Sequence, residues 1–430
     1  MTPFAQKDEK NDSKTSEGNK MGNQSIKYRK TYLDGAANTP LDPKVLSVME
    51  EYMKDGYVGN SFSLYDDGIR SMQAIEEARG KISTALETGG EYDIYFTSGA
   101  TEANNWAIQS ACFRTLRDHL NKRAILLTAT EHSSVLNTAK HMAEAGFEAR
   151  VMDYPENGVV DAAFMERYLD DTIAIACVMA VNNETGTIND IRSVAKLCNE
   201  RGIPLLCDCT QLIGGGKSLK DLNLEDSSWV DYVSFSSHKI YGPTGVGCLV
   251  CHKGSPIDPF IVGGAQEGGM RGGTSNTAGI VGLGEAMRIH TCHETVSRFE
   301  GLSAYMRYKL KEAERLYGEG AITLNEPITD HKASNIYSLR CNLIPDNIYL
   351  LDQLIAVGIE CSASSACDAE SDGVEDSKPS HVLIALGLSH AQINHTVRIS
   401  FTRLTAEEDI DFLFSALYNI IEKFQGGKNQ

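Results

Sequence analysis

From residue 91 onward, short apolar runs alternate with stretches whose apolar positions recur at helical spacing. Residues 93–97, 124–128, 173–181, 204–209 and 232–236 read as strands, and 190–201 reads as an amphipathic helix between two of them. Upstream, Val45, Leu46, Val48, Met49 and Met53 predict a helix over 44–53, following a turn-rich segment from Tyr32 to Pro43. This alternation predicts an α/β fold with a largely parallel sheet. Strands apolar on both faces require helices on both faces, and ligands of such sheets collect at the carboxyl ends of the strands. Chemistry is therefore expected just after each strand.

The pattern changes twice. Residues 1–30 are polar and lack the apolar core of a secretory signal, which predicts a disordered tail with the folded part beginning near Thr31. Residues 263–277 are glycine-rich, and from about Glu285 charged helical segments follow, which predicts a second domain. No internal repeat is visible. A length of 430 residues also favours two domains, and 42% hydrophobic residues supply a sizeable core. With 40 basic against 58 acidic residues, the formal charge of −18 argues against nucleic acid or an anionic membrane as partner. Eleven cysteines, mostly in apolar runs such as 175–178 and 206–209, indicate a reducing compartment. No run approaches the ~18 apolar residues of a membrane span, so a cytoplasmic protein is expected.

Five features follow the five strands. Ser98-Gly-Ala-Thr-Glu-Ala-Asn104 is a small-residue turn opening a helix, whose free N–H groups suit a phosphate. Glu131-His132 places an imidazole at the same edge, and Asn182-Asn183-Glu184 follows the third strand. Asp208 lies inside an apolar strand, where a carboxylate is costly without a partner and calls for a cation. Lys239 leaves the fifth strand directly into the loop Ile240-Tyr-Gly-Pro243, where desolvation favours a nucleophilic amine. Each has a structural reading as turn, cap or core. Together, at one edge, they describe a pyridoxal phosphate site. Thr101, Ser236 and His238 supply phosphate donors, Lys239 the amine for the aldehyde, and Asp208 the carboxylate for the ring nitrogen. His132 stacks on the ring, while Asn183 and Gln211 reach its phenolic oxygen.

Near the C-terminus, 361–378 is rich in Ser, Ala and acids, so a mobile, exposed loop is expected. Free cysteines are ordinarily buried, and an exposed Cys367 there reads as reactive. Asp368, Glu370, Asp372, Glu375 and Asp376 oppose thiolate formation, so activation has to come from groups inside the site. Arg398, in an alternating strand-like run, is placed to clamp a carboxylate, with a surface ion pair as the alternative. Cys248 and Cys251 have metal-ligand spacing, but on a strand they point to opposite faces, and no metal site is expected. Cys207 and Cys209 read as core. Cys361 reads as structural, with a second loop thiol or a resolving partner for Cys367 as the alternative.

The series Tyr32-Leu-Asp34, Thr97-Ser-Gly-Ala-Thr-Glu102, Glu131-His132, Val181-Asn-Asn-Glu184, Asp208-x-Thr-Gln211, Ser236-Ser-His-Lys239-Ile-Tyr-Gly-Pro243, Met270-Arg-Gly-Gly-Thr274, Ser365-Ala-Cys367 and Val397-Arg-Ile-Ser400 resembles the cysteine desulfurases of the NifS/IscS type, which are class V, fold-type I pyridoxal phosphate enzymes. The resemblance runs in order from about residue 31 to 425. It implies a large domain with a mostly parallel seven-stranded sheet and a smaller α+β C-terminal domain. The divisions expected are the tail 1–30, a segment 31–45 packing with the small domain, a cofactor domain 46–289, and a small domain 290–430 carrying the cysteine loop.

The same resemblance implies a homodimer in which Thr274 reaches the cofactor phosphate of the other subunit. Ala100, Thr101, His132, Asn183, Asp208, Gln211, Ser236, His238 and Lys239 would bind the cofactor, and Asn183 and Arg398 the substrate. The implied reaction converts L-cysteine to L-alanine. Lys239 moves the α-proton, His132 serves as acid and base, and Cys367 takes the sulfur as a persulfide for an acceptor protein in iron–sulfur assembly or thiolation. Ser237 stands where the family has glycine, and the acidic loop after Cys367 is longer than in common members. Selenocysteine lyase, β-elimination and transamination would share Lys239 and Asp208, but Cys367 argues against most of them. A non-catalytic sulfur-transfer scaffold would be expected to have lost Lys239 or Cys367.

Overall fold

A computed structural model describes residues 30–118, 120–224, 228–363 and 379–427. Cys367 and the acidic loop lie outside the described residues. The strands are β1 (Thr31–Tyr32), β2 (Tyr92–Thr97), β3 (Ala124–Thr128), β4 (Glu148–Met152), β5 (Ile173–Cys177), β6 (Leu205–Asp208), β7 (Tyr232–Ser236), β8 (Gly247–His252), β9 (Ile322–Leu324), β10 (Ile336–Cys341), β11 (Ile359–Glu360) and β12 (Thr396–Ser400).

Seven of them form one sheet in the order β2-β8-β7-β6-β5-β3-β4. β8 runs antiparallel to both its neighbours, and the remaining pairs are parallel. The fold is therefore α/β with a mostly parallel, mixed sheet. Two apolar clusters cover its faces. On one side, Phe96, Leu126 and Cys207 pack with Ile75 and Ile82 of the helix Asp66–Leu86 and with Leu283 of Thr277–His290. On the other, Ile125, Leu206 and Tyr232 pack with Trp106 of the helix Ala100–Arg117. Cys248 belongs to the first cluster and Cys251 to the second, as strand alternation requires. The strand expected over 173–181 is regular only as far as Cys177. β4 is an additional edge strand, partly exposed along most of its length, so it lacks the apolar run that marks the others.

A third cluster gathers Phe299, Met306, Tyr337, Val397, Phe414 and Leu33 around the antiparallel sheet β12-β10-β9. The chain thus passes from the large core to this one between His290 and Phe299. Residues 31–45 are shared between the two. Leu33 packs in the third cluster, whereas Ala36 and Val45 pack in the first. β1 pairs with β11, Gly35 N donates to Ser400 O at 3.0 Å, and Thr39 N donates to His238 O at 2.9 Å.

Gly247 marks a close approach of backbones. A Cβ there would lie 2.6 Å from Gly99 Cα and 2.6 Å from Phe235 O, atoms that cannot turn aside. Gly247→Ala is expected to push the turn at Gly99 outward and to cost on the order of 1–3 kcal/mol. The checking measurement is the thermal unfolding midpoint, which should fall by several degrees; an unchanged midpoint contradicts the packing.

Candidate active site

The carboxyl ends of β2, β3, β5, β6 and β7 open on a cavity of about 150 Å³. Its lining includes Ala100, Thr101, His132, Asn183, Asp208, Gln211, Ser236, His238, Lys239 and Arg398. Thr274 is elsewhere, exposed beside Ser98 and Ser275 in a separate groove.

The turn after β2 opens the helix Ala100–Arg117, whose first N–H groups have no acceptor within the helix. Ala100 N donates to Ser236 Oγ at 2.8 Å, which ties the end of β7 to this turn. A Cβ on Gly99 would come within 3.3 Å of the same hydroxyl, so the small residue keeps the cradle open. After β3, His132 caps the helix Ser133–His141. Its Nδ1 accepts from Ser134 N at 3.1 Å and lies 2.8 Å from Ser134 Oγ. This pairing commits the Nδ1 lone pair and puts the proton of the neutral ring on Nε2.

Asp208 ends β6 and is 6% exposed. Its Oδ1 accepts from Thr210 N at 3.0 Å and its Oδ2 from Asn104 Nδ2 at 2.9 Å. Both of these protein donors are neutral. Lys239 sits half-buried after β7, and its Nζ donates to Ala36 O and Ala37 O, each at 2.6 Å. Gln211 Nε2 donates to Ala36 O at 3.1 Å, so residues 36–37 close the cavity. Burial and the neighbouring Lys239 charge lower the His238 imidazole from its ordinary value to about 4, which keeps it neutral near pH 7.

Arg398 is not on the surface. It is 2% exposed, and its Nη2 donates to Asp34 at 2.8 Å while Nη1 donates to the Asn183 carbonyl at 3.2 Å. Two buried polar atoms on the lining have no hydrogen-bond partner among the described residues, Arg398 Nε and Thr210 Oγ1. They suit a ligand with its own polar groups. Cys361 is a poor nucleophile, because burial, reinforced by Asp34, pushes its thiol up to about 12.

Sequence reasoning missed Asn104, Ser134, Asp34 and Tyr241 as parts of this site. Asp34 and Asn104 stood inside quoted motifs without a role. Tyr241 is buried with a φ of 66°, a left-handed backbone that strains a bulky residue. Tyr241 N donates to Thr39 Oγ1 at 2.7 Å, and its hydroxyl accepts from Arg403 N at 2.6 Å. The first bond holds the Lys239 loop against the N-terminal segment and the second holds it against the residues that follow β12. Among the described residues, no cluster of His, Cys, Asp and Glu is placed to hold a metal ion, and no helix is long and apolar enough to cross a membrane.

Against known proteins, the aminotransferase class-V family matches residues 31–413. The chain is 33% identical over 396 residues to cysteine desulfurase IscS 1 of Archaeoglobus fulgidus, covering 92% of this chain and 97% of that protein. A solved NifS-like protein superposes with a TM-score of 0.79 at 30% identity, covering 92% of this chain and all of that one. A structure described as SspA in complex with cysteine superposes with a TM-score of 0.69 at 30% identity, over 86% of this chain and 98% of that one. The chain belongs to the aminotransferase class-V family, and its fold is the one shared by NifS-like proteins.

Behind His132, burial raises the fully enclosed Glu131 carboxyl from its ordinary value to about 7, although Met179 N at 2.9 Å and Thr128 Oγ1 at 2.8 Å donate to it. Below about pH 4.5 folded and unfolded chains both hold this proton. As pH rises toward 7 the unfolded chain gives it up first, so stability falls, by an amount on the order of 3 kcal/mol once pH exceeds 7. Glu131→Gln keeps an oxygen acceptor and cannot ionise. Its melting temperature should match the wild type near pH 4.5 and exceed it at pH 8; an offset independent of pH contradicts the burial argument.

Proposed function

We propose that the chain is a pyridoxal 5′-phosphate-dependent cysteine desulfurase that converts L-cysteine to L-alanine and passes the sulfur through Cys367 to an acceptor protein. The observation that carries this reading is the convergence of Lys239, Asp208, His132 and the Ala100 helix start on one cavity, with Arg398 at its wall. Family membership and likeness to cysteine desulfurases support it.

The residues present fit the cofactor. Ala100, Thr101, Ser236 and His238 would hold its phosphate, with the helix start supplying N–H donors. Lys239 Nζ would take its aldehyde. Asp208 would keep the ring nitrogen protonated, His132 would cover the ring, and Asn183 and Gln211 would reach the phenolic oxygen. When bound, pyridoxal phosphate supplies a ring that draws electrons from the bonds at the substrate α-carbon.

Arg398, already fixed by Asp34, orients the L-cysteine carboxylate together with Asn183. Lys239 Nζ then moves the α-proton, and His132 serves as acid and base. The Cys367 thiolate attacks the substrate sulfur. The carbon–sulfur electron pair leaves with carbon, which takes up a proton to give L-alanine, and Cys367 keeps the sulfur as a persulfide. In this reading residues 46–289 bind the cofactor and residues 290–430 carry Cys367.

We assign Thr274 to the cofactor phosphate of a second copy. It is exposed near a groove of about 660 Å³ that includes Ser275 and Met270, with Phe62, Leu64 and Met72 exposed along it. Such an apolar face suits a subunit contact. Free cysteines throughout the described residues fit a cytoplasmic location. No observation favours selenocysteine lyase, β-elimination or transamination.

The test is alanine release from L-cysteine by wild type and Cys367→Ala with a reductant present. Wild type should release alanine, and the variant should be slower by about a hundredfold or more. Equal alanine from both would remove Cys367 from the mechanism, and pyruvate in place of alanine would indicate β-elimination.

A further inference from the structure

Asn104 lies on the helix Ala100–Arg117 and is completely buried. Its Nδ2 donates to Asp208 Oδ2 at 2.9 Å and to Ser134 Oγ at 2.9 Å, while its Oδ1 accepts from Ser234 Oγ at 2.5 Å. The amide orientation follows from chemistry, because an ionised Asp208 can only accept. Both amide protons are used, one on each side. Ser134 Oγ, having accepted from Asn104, is left to donate to His132 Nδ1 at 2.8 Å. One continuous path therefore runs from the carboxylate at the end of β6 to the imidazole after β3.

From this path we infer that Asn104 is a positioning residue that sets two groups at once: the Asp208 carboxylate directly and, through Ser134, the tautomer and ring orientation of His132. The inference rests on the cofactor reading above, in which Asp208 is assigned to the ring nitrogen and His132 to covering the ring. Neutral donors suit the task. They orient the Asp208 carboxylate without opposing it with a positive charge, which leaves it to the ring nitrogen, whereas an arginine in the same place would compete for it.

The substitution that separates positioning from packing is Asn104→Asp, which keeps the size but replaces a donor with an acceptor. Two carboxylates then face each other. At low pH one takes a proton and restores an O–H donor to Asp208; at high pH both ionise and repel. Pyridoxal phosphate is titrated into apo wild type, Asn104→Asp, Asn104→Ala and Ser134→Ala between pH 6 and 9, with visible absorbance as readout, alongside kcat/KM against pH.

Relative to wild type, Asn104→Asp should bind about tenfold or more weakly at pH 9 and recover toward pH 6, while Asn104→Ala should lose about tenfold at every pH. Ser134→Ala should leave cofactor affinity within about twofold and shift the pH midpoint of kcat/KM. Wild-type affinity for Asn104→Asp at pH 9, or a loss equal at every pH, overturns the inference, as does an unshifted pH profile for Ser134→Ala. That last measurement decides alone if the Asn104 variants do not fold. Failure of wild type to take up pyridoxal phosphate would remove the underlying reading and this inference with it. Binding by wild type with unaltered variants would remove only the inference.

Discussion

Asp208 is a carboxylate at the end of a strand that is buried along its whole length, between two apolar layers, and its charge has to be met from neighbouring elements. Thr210 N, at the start of the next turn, meets one oxygen, and the Asn104 amide, from the helix that also begins the phosphate cradle, meets the other. That requirement couples β6 to the helix after β2, and through Ser134 to His132 after β3. Ser234 of β7 closes the path on the far side of Asn104. Four elements of the fold are thus tied together by one buried network, in which any unmet member is expensive.

A second constraint comes from the N-terminal segment. Residues 31–42 bond in turn to β11, to β12, and to the loop that carries Lys239. Ala36 and Ala37 present their carbonyls to Lys239 Nζ, and Asp34 fixes Arg398. The group assigned to the cofactor aldehyde and the group assigned to the substrate carboxylate are therefore held by residues only a few positions apart. Tyr241, strained at a positive φ, shows that the Lys239 loop is shaped by its surroundings and not by local preference.

Much of this was legible in the sequence because a buried parallel strand has a strong apolar signature and its functional residues follow at its carboxyl end. Residues 124–128 and 232–236 match β3 and β7, and the positions singled out after five strands do converge on one cavity. β4 escaped because an edge strand with exposed positions has no such run. Asn104 escaped because a polar residue inside a helix reads as surface until its burial is known. The contact of Asn104 with Asp208 and the buried pairing of Arg398 with Asp34 join residues far apart in the chain, which spacing does not encode.

The central claim is that Lys239 is the amine that holds the cofactor in this cavity. The direct measurement is to incubate the protein with pyridoxal phosphate, reduce with borohydride, digest, and map the pyridoxyl-labelled peptide by mass spectrometry in wild type and Lys239→Ala. The account predicts a label on the Lys239 peptide that is absent from the variant. A label on another lysine, or labelling that persists in Lys239→Ala, would contradict it.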